Sequence, residues 1–170
     1  MKLSQWIREG GFFILISNVV TILRAILMTY LTPEFAFLGT HSWGWPEIEI
    51  TVPVIEKSFI FNVVGYDEAV GGLAYFVAFI VAAFICEIIN FFMQRSITFR
   101  SKGNILVQGL FYFLAWIVVT VIVNSINSIW TGIAVHFVPA VVYNLLTTFI
   151  QGGVSMIVFF FVNKLIFAER

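Results

Sequence analysis

The sequence predicts an all-α membrane protein with four transmembrane helices, arranged as two hairpins that repeat in parallel, with both termini in the cytoplasm. Hydrophobic residues make up 61% of the chain and charged residues 11%, whereas a soluble domain has about 45–50% and about 25%. A helix needs about 20 apolar residues to cross a bilayer. Four segments meet this requirement within one domain, residues 1–170: approximately 11–32, 70–93, 105–126 and 138–162.

The distribution of basic residues predicts the orientation of these helices. Before the first helix, between the second and third, and after the fourth, the basic residues are Lys2, Arg8, Arg95, Arg100, Lys102, Lys164 and Arg170. The 33–69 connection is acidic with a single lysine, and the 127–137 connection has no Lys or Arg. The positive-inside rule therefore places both termini and the 94–104 loop in the cytoplasm. We expect a multi-pass protein of the cytoplasmic membrane with an external loop at 33–69.

The external loop is long for a connection between helices. Residues 47–52, Glu-Ile-Glu-Ile-Thr-Val, alternate between polar and apolar, which predicts a short strand. Residues 56–65 carry Phe and Val among polar residues and could lie flat in the headgroup layer.

Each predicted helix also carries a polar stripe. On the second helix Glu87, Asn90 and Gln94 recur at helical spacing and share one face. The stripes of the other three helices contain Ser17, Asn18, Thr21 and Arg24; Thr120, Asn124 and Asn127; and Asn144, Thr148, Gln151 and Ser155. Such residues either hold helices together by hydrogen bonds or line a polar cleft. Both readings stay open at this point.

Arg24 and Glu87 are the charged residues inside predicted spans. A charge at membrane depth costs at least about 2.5–3.5 kcal/mol on insertion scales and usually faces the bundle interior. The two side chains either form a neutralising pair or act separately in a pathway. Arg24 lies about 20 Å from the inner side and Glu87 about 12 Å, so a direct pair requires Arg24 to reach inward.

The second and fourth helices end in similar blocks, FFMQRSITF (91–99) and FFVNKLIF (160–167). The alignment places Gln94 over Asn163 and Arg95 over Lys164. A cation at such a position complements the helix dipole and reaches lipid phosphates. The same cation is also a candidate ligand for an anionic substrate.

We expect no enzymatic activity, cofactor or metal. His41 and His136 are isolated, and no serine or cysteine has a histidine at a suitable spacing. The formal net charge is zero, so no overall field would attract nucleic acid. We expect no nucleic-acid partner.

The chain resembles the GtrA-like family of small four-helix bacterial membrane proteins. The similarity lies in GGFFILISNVVTILRAILMTYLT (10–32), NFFMQRSITFRS (90–101) and FFVNKLIF (160–167). Gln94 stands where the family usually has Asn, and Asn163-Lys164 stands for Asn-Arg. The long external loop lies outside the resemblance.

The resemblance implies translocation of a polyprenyl-phosphate-linked monosaccharide across the cytoplasmic membrane for cell-surface polysaccharide or wall-polymer glycosylation. It also implies a membrane glycosyltransferase as partner, and the small size of the family's members is compatible with a homo-oligomer. The substrate requires cations for its phosphate, for which the candidates are Arg24, Arg95 and Lys164. Amides would contact its sugar, and the candidates are Asn90, Gln94, Asn124 and Gln151. Glu87 is the candidate competitor for Arg24.

Two other functions remain open. A small multidrug or proton-coupled exporter could use Glu87 as its membrane carboxylate, although Arg24 would repel a cationic drug. A non-transporting subunit of a membrane glycosyltransferase is the other alternative.

Overall fold

Four helices dominate the computed structural model, which describes residues 3–53, 56–66, 68, 71–134, 136–139, 142, 146–147 and 149–168. The helices are α1 (Leu3–Glu34), α2 (Gly72–Met93), α3 (Ile105–Ala134) and α4 (Ser155–Ile166). The first three are long and apolar enough to cross a membrane, and α4 belongs to a shorter apolar helix, Gly152–Ile166. The structure is therefore that of a predominantly helical, multi-pass membrane protein.

The helices form two antiparallel pairs. The packing of α1 along α2 brings Phe13 beside Gln94 and Arg24 beside Glu87, so the two helices run in opposite directions. The last helix packs along α3, with the carbonyl oxygen of Ile166 beside the Gln108 side chain. These pairs correspond to the two predicted hairpins.

Two of the helices are longer than predicted. Helix α1 begins at Leu3 rather than near residue 11, and α3 continues to Ala134 rather than ending near residue 126. Residues 127–134, the first part of the predicted connection between the third and fourth helices, therefore belong to α3 and not to a loop. The hydroxyl groups of Ser125 and Thr131 bond to carbonyl oxygens of their own helix, at 2.7 and 3.1 Å. The polar residues that suggested a loop are thus accommodated within the helix.

The predicted fourth span, 138–162, is described only in part. A π-helix, Phe149–Val154, leads into α4, which ends at Ile166. The residues of the predicted span at 140–141, 143–145 and 148 lie outside the described residues.

The loop between α1 and α2 folds into two small antiparallel sheets. One joins β1 (Trp43–Trp45) to β4 (Val64–Tyr66), and the other joins β2 (Ile48–Val52) to β3 (Lys57–Phe61). The predicted strand is confirmed as β2.

The segment 56–65, which we expect in the headgroup layer, contains strand β3. This strand pairs with β2, which satisfies the backbone groups on the facing edges of the two strands. The Phe59 ring also packs directly against Gly132 on α3, where a larger side chain would collide with it. We call the side of the bundle with these strands the strand end, and the opposite side, which holds the 99–104 loop, the basic end.

Small residues allow α2 to pack closely within the bundle, as is usual between membrane helices. The buried alanines of this helix are Ala74, Ala78, Ala82 and Ala83. Beside them, Cys86 packs with Ile16 and Val20 of α1. At the basic end, Phe91, Tyr112 and Phe167 form a second buried cluster, which joins α2, α3 and the residue after α4.

Candidate functional site

A buried carboxylate lies at the centre of a polar site between α1, α2 and α3. Glu87 is 7% exposed. Its Oε1 accepts a hydrogen bond from Nη2 of Arg24 at 2.9 Å. Its Oε2 accepts from the hydroxyl of Tyr112 at 2.7 Å and from Nδ2 of Asn90 at 3.3 Å. Three helices thus each contribute a donor to one carboxylate.

From Glu87 the hydrogen bonds continue along α2 toward the basic end. Nδ2 of Asn90 also lies 2.9 Å from the Tyr112 hydroxyl oxygen, and Oδ1 of Asn90 accepts from Nε2 of Gln94 at 3.2 Å. The hydroxyl of Thr98 donates to Oε1 of Gln94 at 2.7 Å. Gln94 and Thr98 are fully buried. The polar stripe predicted on α2 is therefore a connected network.

A π-helix over Gln94–Thr98 shapes the end of this network. The amide of Phe99 donates to the carbonyl of Gln94 at 3.0 Å, five residues back. At the end of α4, the amide of Phe167 donates to the carbonyl of Asn163 at 2.8 Å, four residues back. The block 91–99 is one residue longer than the block 160–167, and the π-helix absorbs that residue, as single-residue insertions in helices commonly require. The two aligned blocks thus end in equivalent phenylalanines.

Arg24 retains hydrogen-bonding capacity beyond its contact with Glu87. Its side chain is 29% exposed, and its guanidinium carbon lies 5.8 Å from the centre of the Phe79 ring. Its Nε is buried and has no hydrogen-bond partner among the described residues. A buried donor of this kind is costly to leave unpaired.

Of the two alternatives for Arg24 and Glu87, the structure shows the direct pair. The packing of α1 on α2 sets the register in which the two side chains meet. The contact between Gln94 and the carbonyl oxygen of Phe13, at 3.4 Å, marks this register at the basic end. With this register, the Arg24 side chain reaches Glu87 directly.

Arg95 lies apart from this network, at the basic end. Its Nε donates to Oε1 of Gln108 at 3.0 Å, and its Nη2 donates to the carbonyl of Gly103 at 2.8 Å. Nε2 of Gln108 in turn donates to Ser101 at 2.7 Å. Within the described residues, Arg95 makes no ion pair with a carboxylate. Its positive charge is held in place by neutral groups and is not neutralised by them.

Lys164, the other predicted terminal cation, has a different environment. Its Nζ lies 2.7 Å from Oε2 of Glu9, and Oε1 of Glu9 accepts from Gln5 at 2.6 Å. The ammonium group also lies 3.3 Å from the centre of the Trp6 ring. Glu9 is 3% exposed, so this is a buried ion pair that joins α1 to α4. Lys164 is thus already paired in this structure.

The remaining predicted residues are not part of the network. Asn124 is half-buried on α3, about 18 Å beyond Tyr112 toward the strand end. No side-chain hydrogen bond joins it to the network in the part of the chain that the structure describes. The side chain of Gln151 lies outside the described residues, as do Asn144 and Thr148 from the same stripe.

Several buried polar residues were not predicted as site residues from the sequence. Tyr112 and Gln108 lie one helical turn apart on α3 and are both buried, a spacing that was visible in the sequence among many apolar neighbours. Glu9 precedes the predicted first span, so its burial against Lys164 was not expected. Asn163 is 1% exposed, and neither of its amide atoms has a partner among the described residues.

Outside the membrane-spanning segments, one tyrosine is perturbed. Burial, with a smaller contribution from neighbouring Tyr75, raises the pKa of Tyr66 to about 12. The positive charge of Arg24 acts in the opposite direction.

Comparison of the chain with protein-family models, with curated proteins and with solved structures gives no match.

Proposed function

We propose that the protein translocates a polyprenyl-phosphate-linked monosaccharide across the cytoplasmic membrane, as the resemblance to GtrA-like proteins implies. The lipid-sugar would be made by a glycosyltransferase on the cytoplasmic side and used on the outer side for cell-surface glycosylation. The observation that carries the proposal is the contact between Arg24 and the buried Glu87, in which the arginine side chain remains 29% exposed.

The chemistry of the two arginines supports an anionic substrate. Arg95 carries a charge that no described carboxylate neutralises, at the end of the bundle assigned to the cytoplasm by the positive-inside rule. A guanidinium binds phosphate oxygens through a rigid fork of donors. In this proposal, the phosphate first binds Arg95 and then Arg24.

Glu87 provides a way to release the phosphate from Arg24 after the second binding step. When substrate is absent, Glu87 neutralises Arg24, which offsets the cost of a charge at membrane depth. When the phosphate arrives, it competes with Glu87 for the guanidinium. Asn90 and Tyr112 still donate to Glu87, so the carboxylate remains hydrogen-bonded after Arg24 changes partner. This exchange would couple substrate entry to a shift between α1 and α2.

The same contacts do not favour a multidrug exporter. Glu87 accepts hydrogen bonds from three donors, one of which is cationic. A cationic drug would have to displace Arg24 and would be repelled by it. An anionic substrate would instead be attracted by Arg24 and would gain it as a binding partner.

The test is transport of a fluorescent polyprenyl-phosphate sugar in vesicles that contain wild-type protein, Arg24→Ala, Glu87→Gln, or the swapped pair Arg24→Glu with Glu87→Arg. Rates are normalised to protein in the membrane. We expect Arg24→Ala to abolish transport, and Glu87→Gln to keep binding but slow release. Full activity of the swapped pair would overturn the role of Arg24 and leave a structural ion pair.

A further inference from the structure

An apolar groove runs between α3 and α4 on the outside of the bundle. It has a volume of about 350 Å³. Its walls are Phe111, Leu114, Ala115 and Val118 on α3 and Val162 and Leu165 on α4. Along α3 this stretch is about 10 Å long.

The groove is open to its surroundings. Phe111, Val118 and Leu165 are each more than half exposed. In the membrane these side chains meet lipid, so the groove is filled by hydrocarbon or by another apolar helix. Ala115 is the smallest residue of its wall and leaves room for an occupant.

The basic end of the groove lies against the Arg95 group. Ile166 forms part of its wall, and the Ile166 carbonyl accepts a hydrogen bond from Nε2 of Gln108 at 3.3 Å. The same Gln108 side chain holds Nε of Arg95 at 3.0 Å. The Gln108 side chain thus links Arg95 to the basic end of the apolar groove. This is the arrangement of charge and apolar surface that a phosphate with a single hydrocarbon tail requires.

We propose that the groove binds the phosphate-proximal part of the substrate's polyprenyl chain while Arg95 binds its phosphate. The inference rests on the proposed function, and it adds a chain-binding site to it. A volume of about 350 Å³ over about 10 Å of length corresponds to roughly the cross-section of one hydrocarbon chain. The occupant is therefore a single-chain lipid phosphate, in preference to a two-chain phospholipid or a second copy of this protein.

Recognition of the chain comes from packing, because lipid tails are as apolar as the groove and provide no hydrophobic driving force. We therefore expect a modest effect from filling the groove, about three- to tenfold in Kd. Ala115→Trp fills the space, and Ala115→Leu does so with less bulk if the tryptophan variant fails to fold. Ile117→Trp is the matched control, since Ile117 is an exposed residue of the same helix that does not line the groove.

Binding is measured with the full-length protein in phosphatidylcholine nanodiscs, using undecaprenyl phosphate, geranyl phosphate and phosphatidylglycerol as probes. We expect Ala115→Trp to weaken undecaprenyl phosphate binding three- to tenfold, with no change for Ile117→Trp. Geranyl phosphate should also be weakened by Ala115→Trp, because its short chain is the phosphate-proximal part that the groove binds. Arg95→Ala should weaken both prenyl phosphates.

Each contrary outcome overturns a distinct statement. If Ala115→Trp and Ile117→Trp affect undecaprenyl phosphate equally, the groove does not bind the chain, although a loss with Arg95→Ala would still support the proposed function. If phosphatidylglycerol is weakened as much as undecaprenyl phosphate, the groove is a general lipid contact. If light scattering shows that Ala115→Trp dissociates an oligomer, the groove is an interface between copies. If the wild-type protein binds neither prenyl phosphate, the inference and the proposed function both fail.

Discussion

The ring of Phe99 stacks on the ring of Phe167, with centroids 5.4 Å apart and planes inclined by 29°. These residues end the two similar blocks that close α2 and α4. The stacking is possible because the π-helix at Gln94–Thr98 absorbs the additional residue of the first block. The similarity between the blocks therefore corresponds to a direct contact between the ends of two helices.

This contact predicts energetic coupling between the two block ends. Aromatic pairs contribute about 0.5–1.5 kcal/mol beyond the area they bury. In a double-mutant cycle of Phe99→Leu and Phe167→Leu, we expect a coupling free energy in that range, measured by unfolding in detergent. Phe92→Leu paired with Phe167→Leu is the control, since Phe92 is exposed. Strictly additive effects for Phe99 and Phe167 would contradict the prediction.

Tyr112 should act through Glu87. The Tyr112→Phe change removes the donor that lies 2.7 Å from Oε2 of Glu87, and we expect a loss of about 1 kcal/mol in the free energy of unfolding. In a Glu87→Gln background the loss should be smaller, because the acceptor is no longer charged. Tyr30→Phe, at an exposed tyrosine of α1, should have no effect. An equal loss in both backgrounds would show that Tyr112 acts independently of Glu87.

Arg95 should be more important for substrate binding than Arg100, which is exposed on the adjoining 99–104 loop. The Arg95→Ala change should weaken lipid-sugar binding about tenfold or more, the loss expected when a charge-assisted hydrogen bond is removed. Arg95→Lys should be intermediate, since it keeps the charge but loses the fork of donors. Arg100→Ala controls for the change in net charge. Unchanged cell-surface glycosylation in an Arg95→Ala strain with normal protein levels would exclude this role.

Lys164 should stabilise the fold through Glu9. Removing one partner of a buried ion pair typically costs about 3–5 kcal/mol, so Lys164→Met should lower Tm and the amount of protein in the membrane. Adding Glu9→Gln should restore part of this loss, because no buried charge is then left unpaired. Lys102→Met, at an exposed lysine, is the control. A Lys164→Met protein with unchanged Tm but no lipid-sugar binding would instead identify Lys164 as a substrate ligand.

The orientation in the membrane can be tested by cysteine labelling in a Cys86→Ser background. Ser101 is a poor position for a label, since it is 6% exposed and accepts a hydrogen bond from Gln108. Lys102 and Glu49 are exposed at opposite ends of the bundle. An impermeant reagent applied to intact cells should label Glu49→Cys and not Lys102→Cys. The reverse pattern would place the strand end in the cytoplasm.

The sequence by itself determined the helical membrane character of the protein and the polar face of α2. Apolar segments of this length can satisfy their backbone groups in lipid by forming helices. The helical period then places Glu87, Asn90 and Gln94 on one face wherever the helix is packed. Strand β2 was also predictable, because its alternation is a property of consecutive residues. All of these features depend on local spacing.

Only the tertiary structure decided which groups meet that polar face. Arg24 reaches Glu87 because α1 packs on α2 in one particular register, and Tyr112 reaches it because α3 lies alongside. The contact of Glu9 with Lys164 joins residues near the two ends of the chain. Helical spacing sets the direction in which each side chain projects from the axis of its own helix. The rotation of the neighbouring helix, and its position along that axis, depend on packing along the whole interface. The partners of the buried charges were therefore decided by contacts between residues distant in the sequence.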